Sequence, residues 1–369
     1  MNNSNMNKLI YLASLLLLLL TGCKDDIDIS TLSNREKMVV YCMPTVSDTT
    51  YIFVSRSIPV KSYNDSVKIS TVDNAHIQYA VNGEKRDVEH IGKGYYRVVG
   101  KQQAGDQVTL GVSAEGLESV SGTTAIPEIV PVSDISVRNV SVYDNEYDNK
   151  RDLTQVTATF TDNAATRDYY AVRVKVKHYD GYAKVCNKEG WTTEYFSTYE
   201  DFLSRKDEKK EDSVELVFAD SAYSYPRVET QSEDLLMPVG SVDDFFGFSN
   251  DFFGNLCIFD DSAINGMTYT LHLNVDRYLT FTIYDDEAHR ATDYNFAKAF
   301  QVELLRISPD YYRFLRAIND VDNNDLARAG FSQIRPMESN VIGGLGLLGG
   351  WNTGKTAWKM KTPTKTNKN

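Results

Sequence analysis

Apolar residues fall into three kinds of stretch along the chain: one unbroken run near the start, many short alternating runs through the middle, and one helical repeat near the end. The alternating runs dominate. Glu36–Pro44 and Thr50–Ser57 are rich in β-branched and aromatic residues and predict strands. His76–Val81, Arg86–Ile91, Tyr95–Val99 and Val108–Ala114 follow at short spacing, with Asn82-Gly83 between the first two of these. Asn-Gly tolerates the positive φ of a type I′ turn, so it predicts a hairpin. Short strands at this spacing predict an Ig-like β-sandwich over residues 36–130. The prolines of Ile126-Pro127-Glu128-Ile129-Val130-Pro131 break the pattern and place a domain boundary there.

Beyond the boundary, Ile135–Tyr143, Leu153–Phe160 and Tyr169–Tyr179 alternate again. In the last, Tyr170, Val172, Val174 and Val176 share one face and charged residues the other, which predicts a half-buried antiparallel strand. Residues 180–265 lose register, and the charged run Arg205–Asp212 reads as a solvated loop. Strands resume at Tyr269–Val275, Tyr278–Tyr284 and Phe300–Ile307. Ser308 as N-cap, Pro309 at the first helical position, and Tyr311, Phe314, Leu315 and Ile318 at helical spacing predict a short helix near 309–322. The fold class is therefore mainly β. An N-terminal Ig-like sandwich precedes a second antiparallel β domain, 131–369, with an irregular insertion, one short C-terminal helix and a closing strand over 350–360.

The unbroken run, Leu9–Leu20 with Ser14 inside it, follows Lys8 and is too short to span a bilayer, which takes about 20 apolar residues. It fits the apolar region of a secretory signal over residues 1–22. Leu20-Thr21-Gly22-Cys23 resembles a bacterial lipobox, whose cysteine becomes the acylated N-terminus, so Cys23 is the expected site of lipidation, palmitate included. Lys24, Asp25 and Asp26 resemble a surface-export signal, and the polar stretch to Arg35 reads as a flexible tether over 23–35. These features predict an outer-membrane lipoprotein at the cell surface, held to the membrane by its N-terminal lipid.

Charge narrows the partners. The net charge is −12, and without residues 1–22, 38 basic against 51 acidic side chains give −13. Such a surface repels nucleic acid, which is not an expected partner. Cys23 apart, the cysteines are Cys42, Cys186 and Cys257. Cys42 reads as a small core hydrophobe, and a Cys186–Cys257 disulfide is left open by spacing alone. The five histidines stand singly, at 76, 90, 178, 272 and 289, so no metal site and no cofactor is expected.

Candidate chemistry thins out on inspection. Gly344–Gly349 fits the dinucleotide fingerprint and Gly349–Thr356 the phosphate-binding P-loop. Both need a strand before and a helix after, and only 13 residues follow Thr356, Pro363 among them, so no nucleotide is expected. Asp320, Asp322, Asn323 and Asp325 suggest calcium but lack the glycine and distant glutamate of an EF-hand. With 51 acids, any pair can be nominated for glycoside hydrolysis, so no catalytic residue is assigned and the chain is not expected to be an enzyme.

Several passages, in order, carry a family resemblance: KMVVYCMPTVSDTTYIFVSRSIPV, DNAHIQYAVNG, GYYRV, AIPEIVPV, FDDSAINGMTYTLHLNV, LLRISPDYYRFLRAI and SNVIGGLGLLGG. Together they resemble the Bacteroidota lipoprotein family known as domain of unknown function 4249, with residues 180–250 the poorest match. The resemblance implies a surface lipoprotein, often encoded beside TonB-dependent outer-membrane transporters, and supplies no catalytic residues. The function expected is that of an accessory protein that binds a ligand or docks on such a transporter. A structural or adhesive surface protein is the alternative, and a hydrolase of surface glycans or peptides comes third. The aromatic cluster Phe245, Phe246, Phe248, Phe252 and Phe253 is the candidate interaction patch.

Overall fold

The computed structural model describes residues 35–58, 69–144, 148–196, 198–208, 213–230, 233–239, 255–279, 281–285, 290–294, 296–323 and 339–361. The first part of the chain supplies β1 (Met38–Cys42), β2 (Thr49–Arg56), β3 (Ser70–Thr71), β4 (His76–Val81), β5 (Glu84–Arg86), β6 (Val88–Gly92), β7 (Tyr95–Val99), β8 (Gln107–Ser113) and β9 (Val120–Ala125). Then come β10 (Val132–Asp144), β11 (Asn149–Thr161), β12 (Tyr169–Asn187), β13 (Gly190–Glu194), α1 (Tyr199–Glu208), β14 (Ser213–Ser224), β15 (Met237–Pro238), β16 (Cys257–Asp260) and β17 (Thr268–Asp276). The last part holds β18 (Thr282–Asp285), β19 (Arg290–Asp293), β20 (Ala297–Ile307), α2 (Pro309–Asn323), β21 (Leu345–Leu348), β22 (Trp351–Lys355) and β23 (Lys359–Met360). The fold is mainly β and, among the described residues, antiparallel in every strand pairing but one.

The described residues from Lys37 to Ser57 and from Ile69 onward belong to one compact unit built of layers. One sheet runs β21-β1-β2-β7-β6 and faces a second, β5-β4-β8-β9. Val40, Ile52 and Val54 of the first meet Tyr79, Val108 and Leu110 of the second in one buried cluster, so this pair is a sandwich. Asn82 and Gly83 turn β4 into β5 with φ of 52° and 84°, the geometry of a type I′ turn. The first sheet is completed from the far end of the chain, because β21 pairs parallel with β1, Leu345 beside Val39 and Leu348 beside Cys42.

A second sandwich sets the sheet β10-β11-β17 against the largest sheet, which runs β15-β16-β12-β20-β22 and carries β13 and β14 on β12. Val156, Phe160, Leu271 and Leu273 pack there on Val172, Val174, Phe300 and Val302. The opposite face of the large sheet, at Ala171, Leu305 and Ile307, packs with α2 through Tyr311, Phe314 and Leu315, and Tyr41 and Phe53 of the first sandwich join the same cluster. α2 is therefore a wedge with apolar neighbours on both sides. Ser308 caps it, its Oγ accepting from the Tyr311 N–H at 3.4 Å. The segment 126–131 passes between cores, Ile126 lying in one cluster and Val130 in another.

Three expectations are corrected. The charged run beginning at Arg205 is not all loop, since Arg205–Glu208 form the last turn of a second helix, α1. Its Thr198 cap accepts from the Asp201 N–H at 3.1 Å, acids open it, bases close it, and buried Phe202 anchors it. The region after 180 is more regular than expected, because β12 continues to Asn187 and carries β13 and β14 as further antiparallel strands. The strand expected over Tyr278–Tyr284 is shorter and later, Thr282–Asp285. The disulfide left open is not formed. Cys257 is a buried free thiol paired with Val172, 14 positions along β12 from Cys186. At ~3.3 Å per strand residue that is roughly 45 Å, against the ~7 Å limit between bridged Cα atoms.

Candidate functional site

The alternation of β12 builds the site. Buried Tyr170, Val172, Val174 and Val176 point into the second sandwich, so Arg173, Lys175 and Lys177 must stand in a row on the opposite face. β14 lies alongside and places Tyr223 opposite Lys177, with Tyr225 just beyond its end. On the other flank, β20 sets Glu303 opposite Arg173, and β22 sets Lys355 opposite Glu303.

Cations and rings interleave. The Arg173 guanidinium lies 4.1 Å from the centre of the Tyr225 ring, and Lys175 Nζ lies 4.6 Å from that of Tyr223. Lys177 Nζ is 4.9 Å from the Tyr179 ring, and the Tyr223 ring is 5.9 Å from Trp358. Tyr223 and Trp358 remain open to solvent, at 47% and 38% exposure. The one acid of the row is buried: Glu303 accepts from Arg173 Nε at 2.8 Å and meets Lys355 Nζ at 3.3 Å. Burial works to raise its carboxyl, but Arg173, with Lys355 and Lys175, outweighs burial and holds it below the usual carboxylate range. Arg173, Lys175, Lys177 and Lys355 against Glu303 leave a net charge of +3, on a chain whose total is −12.

Such a surface offers flat rings for apolar contact and cations for an anionic partner. Buried acids elsewhere serve as clamps. Asp162 accepts from the Tyr170 hydroxyl at 2.5 Å and the Gly266 N–H at 2.8 Å, and Glu233 from the Tyr269 hydroxyl at 2.5 Å and the His272 N–H at 2.9 Å. Among the described residues no group of three or more His, Cys, Asp or Glu is placed to hold a metal ion, and no helix is long and apolar enough to cross a membrane.

Cys23, Lys24, Asp25 and Asp26, and the patch Phe245, Phe246, Phe248, Phe252 and Phe253, lie outside the described residues. Asp320, Asp322 and Asn323 fall at the end of α2, and Asp325 lies outside the described residues. The two glycine motifs form β21 and β22 and the link between them. A Cβ at Gly350 would stand 1.9 Å from the Ala125 carbonyl oxygen, and one at Gly354 2.0 Å from that of Val130. Close approach of strand to backbone, with no helix behind it, explains those glycines. The sequence shows charges on one face of β12 but not what stands beside them. The only signal for the partner rings is the alternation of Tyr223 and Tyr225 in Ser221-Ala-Tyr-Ser-Tyr-Pro226.

The chain is thus a mainly β protein of layered antiparallel sheets with an exposed basic and aromatic face. A family model described as Domain of unknown function (DUF4249) matches residues 24–357, and the chain belongs to that family. No curated protein and no solved structure matches it.

Proposed function

We propose that this protein is a lipid-anchored accessory protein of the outer membrane, displayed at the cell surface, that works beside a TonB-dependent transporter. Its contact surface in this reading is the face built on Arg173, Lys175, Lys177, Tyr223 and Trp358. The observation that carries the proposal is this face: exposed rings and unburied cations concentrated on an otherwise acidic chain mark a surface made for a partner. Membership in the family and the lipobox-like Leu20–Cys23 support the anchoring half.

Cells fed labelled fatty acid test the anchor. Label is expected in the wild-type protein and absent from Cys23→Ser, and protease added to intact cells should degrade the wild type. An unlabelled wild type, or one recovered from the cytosol, contradicts the anchor. Mild detergent extracts test the partner. A barrel-forming outer-membrane protein is expected to co-purify, and recovery of the chain alone contradicts the docking role.

A further inference from the structure

The open end of the second sandwich holds a cavity of about 350 Å³, away from the face just described. Arg277 and Tyr278 reach it from the end of β17, Lys298 from the start of β20, Lys361 from just beyond β23, and Tyr199 and Glu200 from the opening of α1. Lys298 pairs across strands with His178 and therefore lies on the core side of the large sheet, at the margin of the buried cluster that contains Phe300. Its ammonium is drawn partly out of water, with Glu200 and Asp276 the acids that act on its charge.

The charges of the lining do not cancel. Arg277 is matched by Asp152, Nη1 to Oδ2 at 2.8 Å. Lys361 Nζ donates only to the neutral Thr154 Oγ1, at 3.2 Å. Among the described residues no carboxylate stands within ion-pair distance of Lys298 or Lys361. Asp276, near Lys298 but outside the lining, accepts from the Tyr278 N–H at 2.7 Å. Glu200, the one acid among the described lining residues, acts on both ammonium groups, so with Arg277 matched by Asp152 the described lining itself keeps a single positive charge. Tyr199, Tyr278 and Phe296 add apolar wall, and the volume lies at the lower end of the range for small-molecule sites.

We propose that this cavity binds a small organic monocarboxylate, its carboxylate held by Lys298 and Lys361 and its apolar body against Tyr199, Tyr278 and Phe296. Burial holds both ammonium groups below the usual lysine range, against the pull of Glu200 on each and of Asp276 on Lys298, with Arg277 and Lys298 adding to the effect at Lys361, and an entering anion relieves that cost. The inference is independent of the partner surface on β12 and goes beyond the accessory role.

Calorimetry on the full-length chain in detergent tests it, with benzoate as probe, benzamide as its neutral counterpart and inorganic phosphate as competitor. Benzoate is expected to saturate one site and benzamide to bind at least tenfold more weakly. Lys298→Met and Lys361→Met should each weaken benzoate at least tenfold while β-sheet circular dichroism is unchanged. Both variants should melt no lower than the wild type, because each removes a charge that burial disfavours, and Lys361→Gln repeats the test with a polar side chain. Absence of benzoate binding, equal binding of benzamide, unaltered affinity in either methionine variant, or tighter binding of phosphate overturns the proposal.

Discussion

His178 lies fully buried on β12, its Nε2 2.6 Å from Ser224 Oγ and its ring stacked on Phe281 at 5.2 Å. Desolvation, and then the charge of Lys298, push its pKa down to about 4 from the ordinary 6.5. The unfolded chain therefore binds the proton more readily than the folded one between these values. Stability is expected to be intact above pH 6.5 and to fall as the pH drops toward 4, by on the order of 2 kcal/mol. Denaturant melts of wild type and His178→Asn from pH 7 to pH 4 check this, and a slope shared equally by both would contradict it. Gly350 is the other sharp position: Gly350→Ala sets a Cβ against the Ala125 carbonyl and should cost more than ~3 kcal/mol, read as a fall in the denaturation midpoint. At this scale the sequence was half legible. Asn82-Gly83 announced its turn, since both residues accept positive φ, but the glycines near the C-terminus resembled phosphate loops, because letters do not show which backbone comes close.

Among the elements, strong periodicity was readable and weak periodicity was not. α2 stood out because Ser308, Pro309 and a full apolar stripe agree, and β12 because its faces differ so plainly. α1 was hidden because it buries chiefly Phe202, and charge outweighs apolar content elsewhere along it. Two predictions belong here. Leu315 is fully buried on α2 between two sheets, and Leu315→Ala should cost about 2–5 kcal/mol in a urea melt. Thr198→Ala removes the cap of α1 and should cost about 1 kcal/mol or less, with the effect confined to local protection in hydrogen exchange. The parallel pairing of β21 with β1 was invisible, because nothing in either strand names a partner some 300 residues away.

Across the whole molecule, the layers make the C-terminal strands part of both sandwiches: β21 completes the first sheet, and β22 and β23 flank β20 in the largest. Fold class was legible from alternation alone, since a half-buried strand declares its inner and outer faces. The candidate face was not, because Lys175, Tyr223 and Trp358 meet only once β12, β14 and the segment after β22 are side by side. Its basic character matters against the acidic remainder of the chain, which would repel the same anionic partner. The most direct measurement is capture of a barrel-forming protein from mild-detergent outer-membrane extracts, comparing wild type with Lys175→Glu/Lys177→Glu at matched thermal stability. Retention by the wild type and loss of at least tenfold in the double variant, with the wild-type complex weakening as salt rises, is the predicted result. Equal capture by both proteins, or capture by neither, would contradict the role assigned to this face.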